Sequence, residues 1–245
     1  MPDNPVPARR GALVVAVDGP SGSGKSSVSR AVAAELGVAF LDTGAMYRAA
    51  TFSVLAHGVD LTDRAAVAAH VRGVALDLDL DAEAGDRAEL VVLVAPDGAR
   101  RDVTTEIRGA EVTAAVSAVA AVPEVRSDLV LRQRAIIESA CAAPRPGRQP
   151  GIVAEGRDIT TVVAPDADAR ILLTASEAVR MARRAGQDGA PDATSEAVRA
   201  AVVGRDALDA RTTSFTTAAD GVTTVDSTEL DFAGTVAAVL AVVRR

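Results

Sequence analysis

Residues 12–37 read ALVVAVDGPSGSGKSSVSRAVAAELG, and this stretch decides the fold. Its beginning, residues 12–19, is a continuous apolar run that ends in turn residues, as is typical of a strand buried on both faces of a parallel sheet. Apolar residues then recur at the spacing of a helix, at Val28, Val32 and Leu36, and Gly37 ends that helix. The stretch therefore predicts a strand, a glycine-rich loop and a helix, in that order.

The loop between them, GPSGSGKS at residues 19–26, matches the phosphate-binding pattern G-x-x-x-x-G-K-[ST] at every specified position. Glycines allow the backbone to approach a ligand closely, so that successive N–H groups and the start of the helix can face phosphates. Lys25 can then reach the β- and γ-phosphate oxygens, and the Ser26 hydroxyl can ligate Mg²⁺. The candidate ATP-binding residues are Gly19, Pro20, Ser21, Gly22, Ser23, Gly24, Lys25, Ser26 and Ser27.

Lys25 is the single lysine of the chain, and all the other Lys and Arg positions are arginines. Since arginine serves wherever a generic positive charge is enough, position 25 requires the compact, flexible ammonium group that lysine offers. This usage within one sequence favours a catalytic role for Lys25.

The composition limits the possible classes of function. A length of 245 residues suits one α/β core, and 49% hydrophobic but only 2% aromatic residues predict a core of Ala, Val and Leu. A net charge of −7 argues against polynucleotide binding, and no run approaches the roughly 18 apolar residues that span a membrane. Residues 1–10 lack an apolar signal segment and are interpreted as a disordered tail, and the lone Cys141 as an inert small hydrophobe. We therefore expect a cytoplasmic protein, and a monomer because no exposed apolar stripe or heptad is visible.

Strands and helices alternate along most of the chain. Further strands are predicted at 38–41, 151–156, 169–175 and 222–227, and helices at 44–57, 176–185, 194–208 and 231–243. This alternation predicts an α/β fold with a doubly wound, five-stranded parallel sheet and helices on both faces. Residues 74–104 break the rhythm, because extended runs flank Asp97-Gly98, a hairpin signal that predicts a small antiparallel insert. The Pro- and Gly-rich segment 141–151 returns the chain to the sheet.

Five segments, taken in order, resemble bacterial cytidylate kinases, and the resemblance covers about residues 13–209. They are VDGPSGSGKSS (17–27), FLDTGAMYRA (40–49), SAVAAVPEVR (117–126), AEGRDITTVVAPDA (154–167), and ASEAVRMARR (175–184) leading to the RD of 205–206. The resemblance implies a P-loop kinase that moves the γ-phosphoryl group of ATP to CMP or dCMP. It also implies one domain over residues 11–245, with a core (11–42, 150–176, 206–245), a monophosphate-binding region with the insert (43–149) and a mobile lid (177–205).

The resemblance assigns acceptor residues one by one. It implies that Arg48 and Arg157 grip the monophosphate with Thr43 nearby, that Asp209 meets the sugar, and that the cytosine edge is read by Ser117, Arg126 and Asp158. Taken alone, each residue has a plainer interpretation: a helix N-cap for Thr43, an ordinary serine at Ser117, a solvated helix face for Arg126, and an ion pair for Arg157 and Asp158. The last two residues carry a better signal, because they follow a buried parallel strand at the edge where open sheets bind ligands.

A lid is predicted from three arginines on one helical face, Arg180, Arg183 and Arg184, followed by a polar segment at 185–193. We expect these three arginines, with Lys25, to stabilise the transition state, although a solvated basic face is their plainer interpretation. The resemblance implies that Arg205 also contacts the phosphate in transfer. Glu155 is the candidate carboxylate for the hydration shell of Mg²⁺, or else a cap of its strand. The family pattern has an arginine three residues after Asp209, whereas this chain has Arg211 at two.

Two alternatives stay open on the sequence alone. The nearer is another small-molecule kinase, such as a uridylate or shikimate kinase. The other is a non-catalytic, ATP-dependent switch, which the arginine-rich acceptor and lid segments disfavour because a switch needs no grip on a second phosphate.

Overall fold

The computed structural model describes residues 11–80, 91–94, 99–142, 147–188, 196–210, 213 and 215–245. The strands are β1 Leu13–Asp18, β2 Ala39–Asp42, β3 Ala75–Leu78, β4 Val91–Val94, β5 Arg100–Asp102, β6 Gly151–Gly156, β7 Ala169–Thr174 and β8 Thr223–Asp226. The helices are α1 Lys25–Leu36, α2 Thr43–Ala56, α3 Arg64–Gly73, α4 Ala110–Ala120, α5 Pro123–Ala142, α6 Glu177–Asp188, α7 Glu196–Arg199, α8 Arg205–Asp209 and α9 Phe232–Val243. Short turns of other helix types cover Glu106–Arg108 (3-10), Ile159–Val163 (π) and Ala200–Gly204 (π).

The main sheet has five parallel strands in the order β2-β6-β1-β7-β8, which confirms the predicted fold class. Its carboxyl edge gathers the segments singled out in the sequence. Glu155 on β6 is in register with Val17 of β1 on one side and with Asp42 of β2 on the other. The glycine-rich loop, the start of α2 and the EGRD segment therefore leave the sheet side by side.

Two layers of helices cover the sheet, one on each face. Val14 and Ala16 of β1 pack into a cluster with α2, α3 and α5, while Val15 and Val17 pack with α1 and α9. Side chains alternate between faces along a strand, so an unbroken run of Val and Ala is what burial on both faces requires. Small aliphatic residues make up most of both clusters, as the scarcity of aromatic residues predicts.

A second sheet confirms the predicted antiparallel insert. It has three strands in the order β3-β4-β5, and Val94 pairs with Arg100 across the predicted Asp97-Gly98 turn. The turn itself lies outside the described residues, as do the tail 1–10, residues 189–193 of the lid segment and Arg211. Apolar residues at the base of this sheet pack against α2 in a cluster of Ala45, Ala49, Val91, Val103 and Ile107.

The helical segment predicted over 194–208 is confirmed from residue 196 on, although it is not α-helix throughout. Helix α7 ends at Arg199, a π turn covers Ala200–Gly204, and α8 begins at Arg205. A π turn carries an extra residue, and Gly204 at its end weakens continuous α-helix. Helices α3 and α4 were not predicted from the sequence, and α5 was anticipated only in the plainer interpretation of Arg126 as part of a solvated helix face. Within the described ranges no helix is long and apolar enough to cross a membrane.

Candidate active site

The glycine-rich loop leaves β1 and ends at the start of α1. Gly22 and Gly24 have φ values of 74° and 87°, in the left-handed region that L side chains rarely adopt. At Gly22 a Cβ atom would lie 2.5 Å from the Arg180 carbonyl oxygen, so position 22 requires glycine for space as well. No side chain caps α1 at Gly24, which leaves the first N–H groups of the helix available to an anion.

Two arginines of α6 donate hydrogen bonds to carbonyl groups of the glycine-rich loop. Arg180 Nη1 donates to the Ser21 carbonyl at 2.9 Å, and Arg183 Nη1 donates to the Ser23 carbonyl at 3.0 Å. Arg183 also donates to the hydroxyl and the carbonyl of Ser227, both at 3.0 Å. When the N–H groups of such a loop face a ligand, carbonyls on its other side need donors, and these guanidinium groups supply them.

The main cavity, of about 550 Å³, lies at the carboxyl edge of the sheet in front of the loop. Of the predicted site residues, it is lined by Ser21, Gly22, Gly24, Lys25, Ser26, Ser27, Thr43, Arg48, Ser117, Arg126, Glu155, Arg157, Asp158, Arg184, Arg205 and Asp209. The structure thus gathers residues from both halves of the chain. It places the others, Gly19, Pro20, Ser23, Arg180 and Arg183, outside the lining of this cavity.

Guanidinium groups crowd one side of this cavity. Arg48 Nη1 donates to the Ile107 carbonyl at 3.1 Å and to Thr113 Oγ1 at 2.9 Å. Burial, together with the nearby charges of Arg205, Arg184 and Arg108, lowers the pKa of Arg48 to about 10, although Asp42 acts in the opposite direction. Cations held this close to one another create a strong site for an anion. Arg108 was missed in the sequence, where nothing distinguished it from a surface arginine.

The carboxylates of Glu155 and Asp42 lie close enough to Lys25 to act on its charge. Ser26 Oγ donates to Glu155 Oε1 at 2.6 Å, while Glu155 Oε2 is buried without a hydrogen-bond partner among the described residues. Burial, reinforced by the neighbouring charge of Asp42, raises the pKa of Glu155 to about 8. Burial likewise lowers the pKa of the Lys25 ammonium, although Glu155 acts in the opposite direction.

Asp42 was also missed in the sequence, although it ends β2 directly before the TGAMYR segment. Asp42 caps α2 by accepting from the Ala45 N–H at 3.0 Å, so Thr43 is not the N-cap. Thr43 Oγ1 instead donates to the Glu155 carbonyl at 2.8 Å. The helix start and the end of β6 are therefore fastened together beside the cavity.

The far end of the cavity contains paired acids and bases. Arg126 forms an ion pair with the buried Asp158. Burial raises the pKa of Asp158 above its usual value, although Arg126 acts in the opposite direction. Ser117 Oγ donates to Asp209 Oδ1 at 2.8 Å. The residues predicted to read a base and a sugar are therefore paired with one another, although Ser117 and Asp209 lie 92 residues apart in the sequence.

Asp18, at the end of β1, fixes the turn that presents Asp158. Its carboxylate accepts from the Ile159 N–H at 2.8 Å, and from the N–H and hydroxyl of Thr160 at 2.9 and 2.6 Å. Both backbone donors follow Asp158 directly, so the backbone there is held by the strand that carries the phosphate-binding loop. Burial raises the pKa of Asp18 even though these hydrogen bonds favour its ionised form.

Tyr47 lines the same end of the cavity and is half-buried, and burial raises the pKa of its hydroxyl. Behind it lies Gln133, which is 1% exposed. Neither the Tyr47 hydroxyl nor the Gln133 amide has a hydrogen-bond partner of ordinary geometry in the described part of the chain. A buried amide without a good partner costs about 1–3 kcal/mol.

A second cavity, of about 360 Å³, lies on the other side of the loop. Three elements line it: α6, the start of α9, and the glycine-rich loop with the start of α1. The lining residues are Arg183, Gly186, Phe232, Thr235, Ser23, Gly24, Ser27 and Val28. The ring of Phe232 is 56% exposed there. This cavity is therefore less polar than the first and is continuous with the same glycine-rich loop.

The family model and the similar sequences agree on one family. The family model described as cytidylate kinase matches residues 15–245. A protein from Nocardia farcinica called cytidylate kinase is 52% identical over 223 residues, covering 89% of this chain and 88% of the relative. Cytidylate kinases from Rhodococcus opacus (48% over 234 residues, 94% of each chain) and Streptomyces avermitilis (46% over 220 residues, 89% and 87%) are similarly close. A solved structure from Thermus thermophilus aligns with 95% of this chain and 98% of its own, at 17% identity and a TM-score of 0.43.

Proposed function

The chain belongs to the cytidylate kinase family, and from this premise we propose how its residues transfer the γ-phosphoryl group of ATP to CMP or dCMP. The observation that carries the proposal is that Lys25 of the phosphate-binding loop lines one cavity together with Arg48 and Arg157 from other elements. A kinase needs binding sites for the donor phosphates and for the acceptor phosphate in one cavity, whereas a switch needs only the first.

The donor binds along the glycine-rich loop. The loop N–H groups and the uncapped start of α1 hold the phosphates of ATP, and Lys25 contacts the oxygens around the bond that breaks. The adenosine lies toward the second cavity, where the Phe232 ring offers an apolar face and Arg183 a flat guanidinium group. This placement leaves the γ-phosphoryl group at the opening of the main cavity.

The acceptor binds on the other side. Arg48 and Arg157 hold the phosphate of CMP, while Ser117 and Asp209, already hydrogen-bonded to each other, lie where the sugar and base enter. Arg126 and Asp158 read the cytosine edge: the carboxylate accepts from the exocyclic amino group, and the guanidinium group donates to ring acceptors. Uracil presents a carbonyl in place of that amino group, so its oxygen would face the carboxylate of Asp158.

A phosphate oxygen of CMP then attacks the γ-phosphorus in line, and the bond to the β-phosphate oxygen breaks to give CDP and ADP. Lys25, Arg184 and Arg205 surround the group in transfer and stabilise its negative charge. Arg180 and Arg183 act indirectly, by holding the carbonyl side of the loop while its N–H groups face the phosphates. Enclosure of the cavity by α6 and α8 keeps water away from ATP.

Ser26, Glu155 and Asp42 fit a Mg²⁺ ion. A hydroxyl, the buried and unpartnered Glu155 Oε2 and a second carboxylate supply the hard oxygen atoms that this ion prefers. Among the described residues, no group of three or more His, Cys, Asp or Glu side chains could hold a metal ion alone. When bound, Mg²⁺ neutralises phosphate charge during transfer.

We also propose that the protein acts in the cytoplasm, as a monomer, on small nucleotides rather than on nucleic acid polymers. The lone cysteine and the net charge of −7 support this view. Light scattering after size-exclusion chromatography should give the mass of one chain, and a mass of two chains would contradict the monomer.

The test is ADP release measured against a panel of CMP, dCMP, UMP and AMP, with Mg²⁺ and ATP present. We expect ADP release that depends on CMP or dCMP, with a much slower reaction for UMP and AMP. The variant Lys25→Met, which keeps a chain of similar length without the charge, is the control for contaminating kinases. ADP release that depends on none of the monophosphates would contradict the proposal and favour a switch.

A further inference from the structure

Asp206 is a buried carboxylate to which the proposed function assigns no task. It lies on α8, is 8% exposed, and does not line the cavity. Three donors from three parts of the chain meet on it. Its Oδ1 atom accepts from the Ser21 N–H at 2.9 Å and from Arg157 Nη1 at 2.8 Å, and its Oδ2 atom accepts from Arg180 Nη1.

The partners of Asp206 are also bonded to one another. Arg157 Nη2 donates to Ser21 Oγ at 2.7 Å, and Arg180 Nη1 donates to the Ser21 carbonyl at 2.9 Å. The N–H, the carbonyl and the hydroxyl of Ser21 are therefore all engaged in one closed network. The network joins the phosphate-binding loop, the end of β6, the start of α6 and α8.

The network is charged and largely buried. The side chains of Arg157 and Arg180 are only 16% and 13% exposed. Two guanidinium groups hold the pKa of Asp206 below its usual value even though burial acts in the opposite direction. Buried ion pairs add little net stability over apolar residues, but they can fix one arrangement of the groups that form them.

We propose that Asp206 is a positioning residue that couples the donor loop to the acceptor phosphate. When ATP fixes the loop, Ser21 and Asp206 fix the guanidinium group of Arg157 that receives the phosphate of CMP, and Arg180 fixes the lid helix. Binding of one nucleotide then strengthens binding of the other, and such coupling is reciprocal. This inference rests on the proposed function, because it needs both nucleotides in the one cavity.

The variant Asp206→Asn tests the coupling with the shape kept. The remaining Oδ1 atom can still accept from Ser21 and Arg157, but the new amide group faces Arg180, so two donors oppose each other. We measure CMP affinity by calorimetry with and without a non-hydrolysable ATP analogue and Mg²⁺. We expect the analogue to tighten CMP binding at least ~5-fold in the wild type and less than ~2-fold in D206N, with kcat reduced at least ~10-fold.

Two further variants make the test decisive. Asp220→Asn removes an exposed carboxylate and should keep wild-type coupling. Arg180→Gln breaks the same ion pair from the other side, so it should lose coupling too, and it carries the test if D206N does not fold. The coupling between the two nucleotides should be no weaker in the double variant than in D206N.

Wild-type coupling below ~2-fold, or wild-type coupling in both D206N and R180Q, would overturn the inference. Lower thermal stability with unchanged coupling would also overturn it, because Asp206 would then be only structural. Failure of the proposed function is a different result: the wild type would not phosphorylate CMP at all, and the inference would fall with it.

Discussion

The two ends of the main cavity are built in different ways. The donor end is one continuous loop, residues 19–27, whose backbone N–H groups and glycine conformations form the site. The acceptor end is made of side chains from α2, α4, α5, the turn after β6 and α8, segments that lie as far apart as Arg48 and Asp209. The donor end therefore depends on backbone shape and one lysine, whereas the acceptor end depends on which side chains pair with which.

This difference predicts how each end responds to substitution. At the donor end a change that keeps the charge but alters size should be severe, because the loop leaves no room. At the acceptor end a change of one hydrogen-bonding group should alter selectivity more than overall rate, because its neighbours remain in place.

The largest effect is expected for Lys25→Arg at the donor end. Lys25 Nζ lies 3.5 Å from the Pro20 carbonyl and close to Glu155, so the wider, planar guanidinium group cannot take the place of the ammonium. We expect kcat to fall by about 100-fold in a coupled ADP-release assay, in the range found for the loss of one transition-state contact. Arg72→Lys, at an exposed position on α3, is the matched control. Full kcat in Lys25→Arg would remove the special role of the lysine.

The adjacent residues Arg183 and Arg184 on α6 have different contacts, so their variants distinguish a role inside the cavity from a role in holding the loop. Arg184 lines the cavity, so Arg184→Ala should lower kcat at least ~10-fold, equivalent to about 1.4 kcal/mol, with little change in the KM for ATP. Arg183 binds Ser23 and Ser227 instead, so Arg183→Ala should mainly raise that KM. Steady-state kinetics of both variants measure the contrast. Identical kinetic profiles would mean that the lid arginines act as one group.

At the acceptor end, Asp158→Asn should change selectivity. An amide offers both a donor and an acceptor, whereas the carboxylate only accepts, so cytosine loses its advantage over uracil. We expect the CMP/UMP ratio of kcat/KM to narrow by up to about tenfold, chiefly through lost CMP activity. Asp166→Asn, an exposed site in the following loop, should leave the ratio unchanged. An unaltered ratio in Asp158→Asn would move base recognition to Ser117 and Arg126.

The smallest effect is expected behind the acceptor end. Gln133 is buried and its amide lacks a hydrogen-bond partner of ordinary geometry, so Gln133→Met removes a desolvated polar group at nearly constant volume. We expect the free energy of unfolding to rise by about 1 kcal/mol in urea titrations. The value of kcat/KM for CMP should stay within about twofold. A loss of stability would show that the amide makes a hydrogen bond with Tyr47.

The same difference explains what the sequence could predict. The donor loop is local, so one motif beside an apolar run was enough to place Lys25 and the parallel sheet. Arg48, Ser117 and Arg126 carry no local signal, and only the resemblance singled them out. The structure brings them to one cavity, but their roles remain predictions.

Other features depended on contacts that spacing does not reveal. Asp42 and Arg108 line the cavity because β2 and the 3-10 turn end beside it. Arg180 and Arg183 share a helical face with Arg184 within one turn, yet they bind the back of the loop, because the start of α6 packs directly against Gly22. The helix predicted over 194–208 is interrupted by a π turn, which local propensity does not indicate.

The scarcity of aromatic residues has an optical consequence. The chain has one tyrosine and no tryptophan, and that tyrosine, Tyr47, lines the acceptor end of the cavity near Arg126 and Asp158. Ultraviolet emission from this protein therefore originates almost entirely from one ring, whose brightness depends on the charges and stacking partners around it. A fluorescence titration needs no added label, and it observes the pocket proposed to read the base while remaining nearly blind to the rest of the molecule.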